Sequence, residues 1–259
     1  MRKTRINRYN FILNIVLSLK IKVMLRDVNI ENVLFLDIET VPAFSSYQEL
    51  PDIFRKLWDR KAEQLKREPE DNAEFLFPRA GIYAEFGRII CISAGFFKGK
   101  EFRIKSYYGD DESALLRGFC RLLESHYNYE KKMLCAHNGK EFDFPFLARR
   151  ILIHGIPLPN ILDAAGKKPW EVQFLDTMEL WKFGDYKHYT SLELLSAVFD
   201  IPTPKDDISG ADIHTVYWKD HDLERIRTYC QKDVLTVARL FLKYQQQPGI
   251  PDENVIIVE

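Results

Sequence analysis

Apolar and polar positions follow different rhythms along this chain, and each rhythm marks a different kind of element. From 33 to 40 the sequence runs Val-Leu-Phe-Leu-Asp-Ile-Glu-Thr, an apolar stretch of the kind a strand shows when both its faces are covered. Residues 88–97 and 101–107 are two more strand-like runs, split by Lys98-Gly99-Lys100, a hairpin turn containing glycine. An antiparallel meander follows from that spacing. Beyond it, helical and strand patterns alternate: a helix over 113–126, a short strand over 132–136, a helix over 144–154 with Gly155 and Pro157 as stop signals, and a short strand over 172–176. Thr190 and Glu193 read as a capping box that opens a helix reaching about Phe199. The last helix is the plainest, because Leu223, Ile226, Cys230, Val234, Val237 and Phe241 recur at spacings of three and four and form one apolar stripe. Residues 42–80 differ in texture. They are bounded by proline, rich in charge and helical only around 53–66, and they read as an insertion. Three strands in a meander, then helix, strand, helix, strand and helix, predict an α/β fold with a mixed five-stranded sheet flanked by helices. One domain over about 31–245 accounts for it, with an N-terminal extension over 1–30 and a C-terminal tail over 246–259.

Composition changes this picture little: 46% hydrophobic and 29% charged residues with only 12 Gly and 12 Pro in 259 exclude disordered, collagenous and low-complexity classes. Charge adds more. Residues 1–30 carry seven Lys and Arg against one acid, Asp27, which leaves the remainder with 30 basic and 37 acidic residues. A mildly acidic body argues against coating duplex nucleic acid with a broad basic face, though not against a local groove. Cys91, Cys120, Cys135 and Cys230 show no C-x-x-C spacing, which suits neither a zinc knuckle nor a secreted disulfide framework and points to a reducing cytoplasm. Arg2, Lys3, Arg5 and Arg8 precede an apolar run over 11–19 in the manner of a signal peptide. Asn14 breaks that run, Lys20 and Lys22 follow it, and it falls short of the roughly 20 residues a membrane span needs. Residues 1–23 are therefore expected to be an over-long start before Met24 or a loosely ordered helical extension, with no membrane role.

Three sets of polar residues carry the candidate chemistry. Asp37 and Glu39 interrupt the apolar strand, and residues two apart on a strand share a face, so two like charges sit side by side where only cations make that arrangement inexpensive. If the strand instead ended at Leu36, Asp37 would begin a turn before Pro42. Asp143 lies in Asn138-Gly-Lys-Glu-Phe142-Asp143, between a short strand and a helix, where a carboxylate also serves as an N-cap. Tyr229 and Asp233 are four apart on the last helix, hence on one face, a spacing that also suits a half-buried tyrosine beside an exposed acid.

The order of the three sets is more specific than any one of them. Asp-x-Glu at 37–39, Asn-x-x-x-Phe-Asp at 138–143 and Tyr-x-x-x-Asp at 229–233 resemble the motifs of the DEDD (DnaQ-like) 3′-5′ exonucleases of the ribonuclease H-like fold, in particular the proofreading exonuclease domain of family B DNA polymerases. The resemblance covers about residues 31–245. Thr228 stands where the histidine variant of the family has its histidine, so Tyr229 makes this the tyrosine type.

That resemblance implies two divalent cations, Mg²⁺ or Mn²⁺, about 3.5 to 4 Å apart, held by Asp37, Glu39, Asp143 and Asp233. Asp37 would bridge both, Glu39 and Asp233 would complete the site of the nucleophilic water, Asp143 would hold the second ion, and Tyr229 would orient the water. Attack on the terminal phosphodiester would release nucleoside 5′-monophosphates. Thr40, Asn138 and Phe142 are the expected substrate contacts, with core packing the competing role for Phe142 and Phe144. Single-stranded DNA 3′ ends are the expected partner; RNA trimming by the same four carboxylates, or a silent nucleic-acid-binding module, are the alternatives. A chain of this length has no room for a polymerase domain, so it is expected to act alone or in trans. Asp176 is expected near the metals or as a cap for 178–181, and Lys187 and His188 at phosphate or in a solvated loop; the six histidines show no ligand spacing, and His137, the one beside Asn138, is given no role in the cleft.

Overall fold

The computed structural model of the chain describes residues 25–168, 171–185, 189–202 and 208–259. Residues 1–24, which hold most of the expected extension, and Lys187 and His188 lie outside the described residues. Of the extension, Leu25–Asp27 and Ile30–Asn32 form single helical turns, and the Gln245 side chain donates to the Leu25 and Val28 carbonyls at 2.8 and 2.9 Å.

The elements are β1 (Val33–Pro42), α1 (Asp52–Leu65), β2 (Gly87–Lys98), β3 (Glu101–Tyr108), α2 (Glu112–His126), β4 (Met133–Ala136), α3 (Asp143–Ile153), β5 (Phe174–Asp176), α4 (Thr177–Trp181), α5 (Leu192–Val198), α6 (Ile213–Trp218), α7 (Leu223–Tyr244) and β6 (Val255–Val258). The sheet runs β5-β4-β1-β2-β3-β6, antiparallel across β1-β2-β3 and parallel elsewhere, which places β1 inside the sheet between β4 and β2. The mixed α/β architecture agrees with the expectation, but the strand count does not. The described sheet has six strands, because Val255 to Val258, in the segment read as a tail, pairs with Phe102 to Lys105. Four apolar residues after two prolines carry little local signal, and their partner lies about 150 positions away.

Alternation along β1 sorts its side chains. Leu34, Leu36 and Ile38 enter the core shared with α2 and α3, while Val33 and Phe35 meet α7 on the other face. Asp37 and Glu39 therefore also face α7. Gly95, opposite Phe35, lets that helix come close: a Cβ there would sit 2.8 Å from Val234 and against the Phe102 ring. Gly95→Ala is expected to cost about 1 to 3 kcal/mol of stability through overpacking, read from chemical denaturation.

The insertion between β1 and β2 has a small core of its own. Trp58 is fully buried, donates to the Ala73 carbonyl at 2.7 Å and packs edge-on against Phe77 and Phe86. The Ala43 N–H to Phe86 carbonyl bond, 2.8 Å, closes its base where β1 and β2 separate. The expected capping box does not form: Ser191, not Thr190, is the N-cap of α5 and accepts from the Leu194 N–H at 3.2 Å, and Leu194 rather than Glu193 stands at the third helical position. The Thr190 carbonyl is instead taken by His137. Among the described residues no helix is long and apolar enough to cross a membrane.

Candidate active site

The site forms where β1 loses a neighbour. Pairing with β4 stops at Phe35–Cys135, and β4 ends one residue later, so β1 beyond that point has an open edge beside its two carboxylates. On the other edge a bulge between Glu39 and Thr40 places Ile90 and Cys91 both toward α6 and α7. A bulge adds twist and re-aims side chains, and here it falls beside Glu39.

Asp143, the first residue of α3, fills the open edge. Its carboxylate accepts from its own N–H and from the Ile38 N–H, a donor that β4 leaves unused. The N-cap position belongs to Phe142, which makes no side-chain capping bond, so Asp143 serves the cleft rather than a cap. One oxygen, Oδ1, is buried without a hydrogen-bond partner, an expensive condition for a group 3% exposed. The α3 helix is held in place by Arg150, whose guanidinium grips the buried Glu112 of α2 through Nε at 2.8 Å and a second nitrogen at 2.5 Å.

The four carboxylates converge. Asp37 and Glu39 each feel the other and both Asp143 and Asp233. Burial first, and then these neighbours, raise Asp37 and Glu39 well above the usual carboxylate range. Burial likewise pushes Asp143 up to about 7, partly offset by its two backbone donors and aided by Asp176 and Asp233. Tyr229, one turn before Asp233, donates its hydroxyl to that carboxylate, and burial with the surrounding negative charge holds the phenol protonated.

The donor chemistry fits hard divalent cations. Carboxylate oxygens of Asp37 and Glu39 lie with the Cys230 sulfur within 4.8 Å of one another, and the orphaned Asp143 oxygen lacks only a positive partner. Cys230 was legible only as a member of the apolar stripe; it donates to the Asp37 carbonyl at 3.4 Å and pins α7 to β1 behind the site.

Among the expected substrate contacts, Thr40 is half-buried just past the bulge and Asn138 is half-buried in a left-handed conformation with φ 61°. Phe142 is half-buried and packs on Phe146 with ring centres 5.5 Å apart. Phe144 is buried against Phe174, the core role. His137 is not in the cleft: it ties the end of β4 to Thr177 Oγ1 at 2.9 Å and to the Thr190 carbonyl at 3.0 Å, and since a carbonyl only accepts, Nε2 carries the proton. Asp176 caps α4 and holds the motif loop as well.

A mixed sheet with helices on both faces, and acidic residues from its central strand and two helices gathered at one opened edge, defines an α/β fold of the ribonuclease H-like class. Residues 82–255 match the model of a family described as predicted 3′-5′ exonucleases related to the exonuclease domain of PolB, and the chain belongs to that family. The class of activity is therefore that of a nuclease. The match takes in Asn138 to Asp143 and Tyr229 to Asp233, and it begins downstream of Asp37 and Glu39. Among solved structures, the family B DNA polymerase from the hyperthermophilic archaeon Pyrobaculum calidifontis is similar at a TM-score of 0.52 and 14% identity, over 83% of this chain and 24% of the polymerase. The chain thus spans about a quarter of that protein. No curated protein matches the sequence.

Proposed function

We propose that this protein hydrolyses the terminal phosphodiester at 3′ ends of single-stranded DNA and releases nucleoside 5′-monophosphates, with Asp37, Glu39, Asp143 and Asp233 holding two divalent cations, Mg²⁺ or Mn²⁺. The observation that carries this reading is the gathering of carboxylates whose charges are unfavourable together without a cation, three of them with raised proton affinity. Bound cations supply positive charge to the phosphodiester oxygens and make water a competent nucleophile near neutral pH. Tyr229 stays protonated and presents its hydroxyl beside Asp233, where it orients the attacking water by hydrogen bonding. Asn138 and Thr40 flank the carboxylates and grip the terminal nucleotide, and Phe142 offers the exposed part of its ring to the base. Four buried thiols with no disulfide among them accord with a cytoplasmic location.

The test is degradation of 3′-labelled and 5′-labelled DNA and RNA oligonucleotides with Mg²⁺, Mn²⁺ or EDTA, resolved on denaturing gels. Metal-dependent shortening of DNA from the 3′ end, by single nucleotides, is the expected outcome. Preferential shortening of RNA would transfer the substrate assignment to the ribose polymer, and no shortening of either by a folded sample that binds oligonucleotide would replace the enzyme reading with a binding module.

A further inference from the structure

Asp176 is 3% exposed and sits at the end of β5, and its two oxygens divide their work. Oδ1 accepts from the N–H groups of Asn138 at 2.9 Å, Met178 at 3.0 Å and Glu179 at 3.3 Å, the last two being the N-cap of α4. Oδ2 accepts from the Lys140 N–H at 3.0 Å. One carboxylate therefore fixes two alternate N–H groups of the loop that leads to Asp143.

That loop is wound directly onto the start of α3. The Asn138 carbonyl accepts from Glu141 and Phe142 at 3.2 and 3.0 Å, and the Gly139 carbonyl accepts from Phe144 at 2.9 Å, one residue past Asp143. Gly139 has no room to shift, since a Cβ would press on Ala136 and lie 3.1 Å from the Phe144 ring. A displacement of Asn138 to Lys140 is thus passed through this hydrogen-bonded turn to the Asp143 carboxylate, whose Oδ1 waits without a partner.

We propose that Asp176 is a positioning residue of the site, its Oδ2 bond to Lys140 holding the 138–142 loop so that Asp143 keeps its place among the other carboxylates. The proposal rests on the metal-dependent reading of the site given above. Substitution of groups that orient metal ligands by hydrogen bonding lowers metal affinity by about 10- to 100-fold, and an effect at the lower end of that range is expected here because the orientation acts through a backbone turn.

Asp176→Asn separates the two duties. Its amide oxygen keeps the three Oδ1 bonds, and Asn caps helices as well as Asp does, but its NH₂ faces the Lys140 N–H, donor against donor. Asp176→Ser, which retains a cap and is too short to reach Lys140, is the second variant. The measurement is Mn²⁺ binding to the metal-free protein by loss of the free-ion electron paramagnetic resonance signal, with melting in EDTA and oligonucleotide hydrolysis alongside. The expected result is a half-saturating Mn²⁺ concentration raised about 10-fold in both variants, with melting of Asp176→Asn in EDTA lowered only by the one lost bond to Lys140. Ser191→Ala, which strips the comparable cap from α5, is expected to lower melting without moving Mn²⁺ affinity. Wild-type affinity in Asp176→Asn, or lowered melting with unchanged affinity, would reduce Asp176 to a cap and overturn the proposal while the nuclease reading stands. A wild-type protein that neither binds Mn²⁺ nor degrades DNA overturns both.

Discussion

Asp37→Asn is expected to abolish 3′-end hydrolysis, by about 10³-fold or more, while leaving the fold intact. Asn has the same shape, so neither packing nor the strand is disturbed, and the Asp37 carbonyl still accepts from Cys230. What changes is charge. Asp37 and Glu39 both lie within electrostatic reach of every other carboxylate of the site, so removing the charge at Asp37 weakens the field on any cation placed there. Stabilisation of transition-state charge by bound metal amounts to several kcal/mol, and at about 1.4 kcal/mol per decade its loss reaches the stated factor. Asp233→Asn is expected to fall equally far. Its amide oxygen still accepts the Tyr229 hydroxyl, so at Asp233, as at Asp37, what is lost is the charge. Single-turnover rates at saturating oligonucleotide and metal, with melting as a control for folding, are the measurement. A variant that keeps wild-type turnover would remove its residue from the catalytic set.

The parts of this architecture that were readable from sequence are those that depend on local periodicity. The α7 stripe announces itself at spacings of three and four, and the β1 run announces a strand covered on both faces in which two carboxylates are conspicuous. Even so β1 continues to Pro42 rather than stopping at Thr40, because its last residues pair with Gly87 and Arg88, and that register is a property of the partner. The sixth strand is hidden for the same reason, since Val255 to Val258 becomes a strand only by lying against β3. The α6 helix has six residues and is fixed by burial of Ile213, Val216 and Tyr217 in the core beneath β1, with the Trp218 indole donating to the Pro42 carbonyl at 3.3 Å.

The site divides in the same way. Asp37 and Glu39 stand out as charge in an apolar strand, whereas Asp143, Tyr229 and Asp233 look ordinary locally and are marked only by the order of the three motifs and the resemblance it carries. Asp176 is marked by neither, since the Asn138 and Lys140 N–H groups it holds lie 38 and 36 positions earlier, and a carboxylate after a short strand looks like a cap whatever else it does. Cys230 is likewise indistinguishable from its apolar neighbours until β1 is laid beneath it. At Thr190 and Ser191 two adjacent hydroxyls compete for one cap, and the contest is decided by a histidine more than fifty positions upstream.

Without divalent cations the wild-type protein is expected to lose stability as pH rises toward 8, and Asp143→Asn to melt higher than wild type there while being inactive. Unfolded, a carboxyl such as Asp143 ionises near its ordinary value of 3.8; folded, burial pushes it to about 7. The folded state thus holds a proton that the unfolded state releases. Its contribution to stability is full below about pH 4 and is lost as pH climbs through 7, and Asp37 and Glu39, also raised, act in the same direction. His137 opposes this trend, since burial lowers its proton affinity and its neutral form is favoured as pH rises, but it is present in both proteins and cancels in their difference. The difference between Asp143→Asn and wild type in EDTA should therefore grow between about pH 4 and 7 and level off above that, at a few kcal/mol at most, because each tenfold change in proton affinity corresponds to about 1.4 kcal/mol. Adding Mn²⁺ at pH 8 reverses the order for the wild type. Saturation at a hundredfold excess over Kd contributes about 2.7 kcal/mol, equivalent to about 5 to 10 °C in melting temperature for a chain of this size, and Asp143→Asn should recover only a fraction of that. Melting curves over this pH range, with EDTA and with Mn²⁺, decide the matter: a wild type whose melting is insensitive to both pH and metal would mean that these carboxylates do not form a cation site, because their mutual repulsion would then cost the fold nothing.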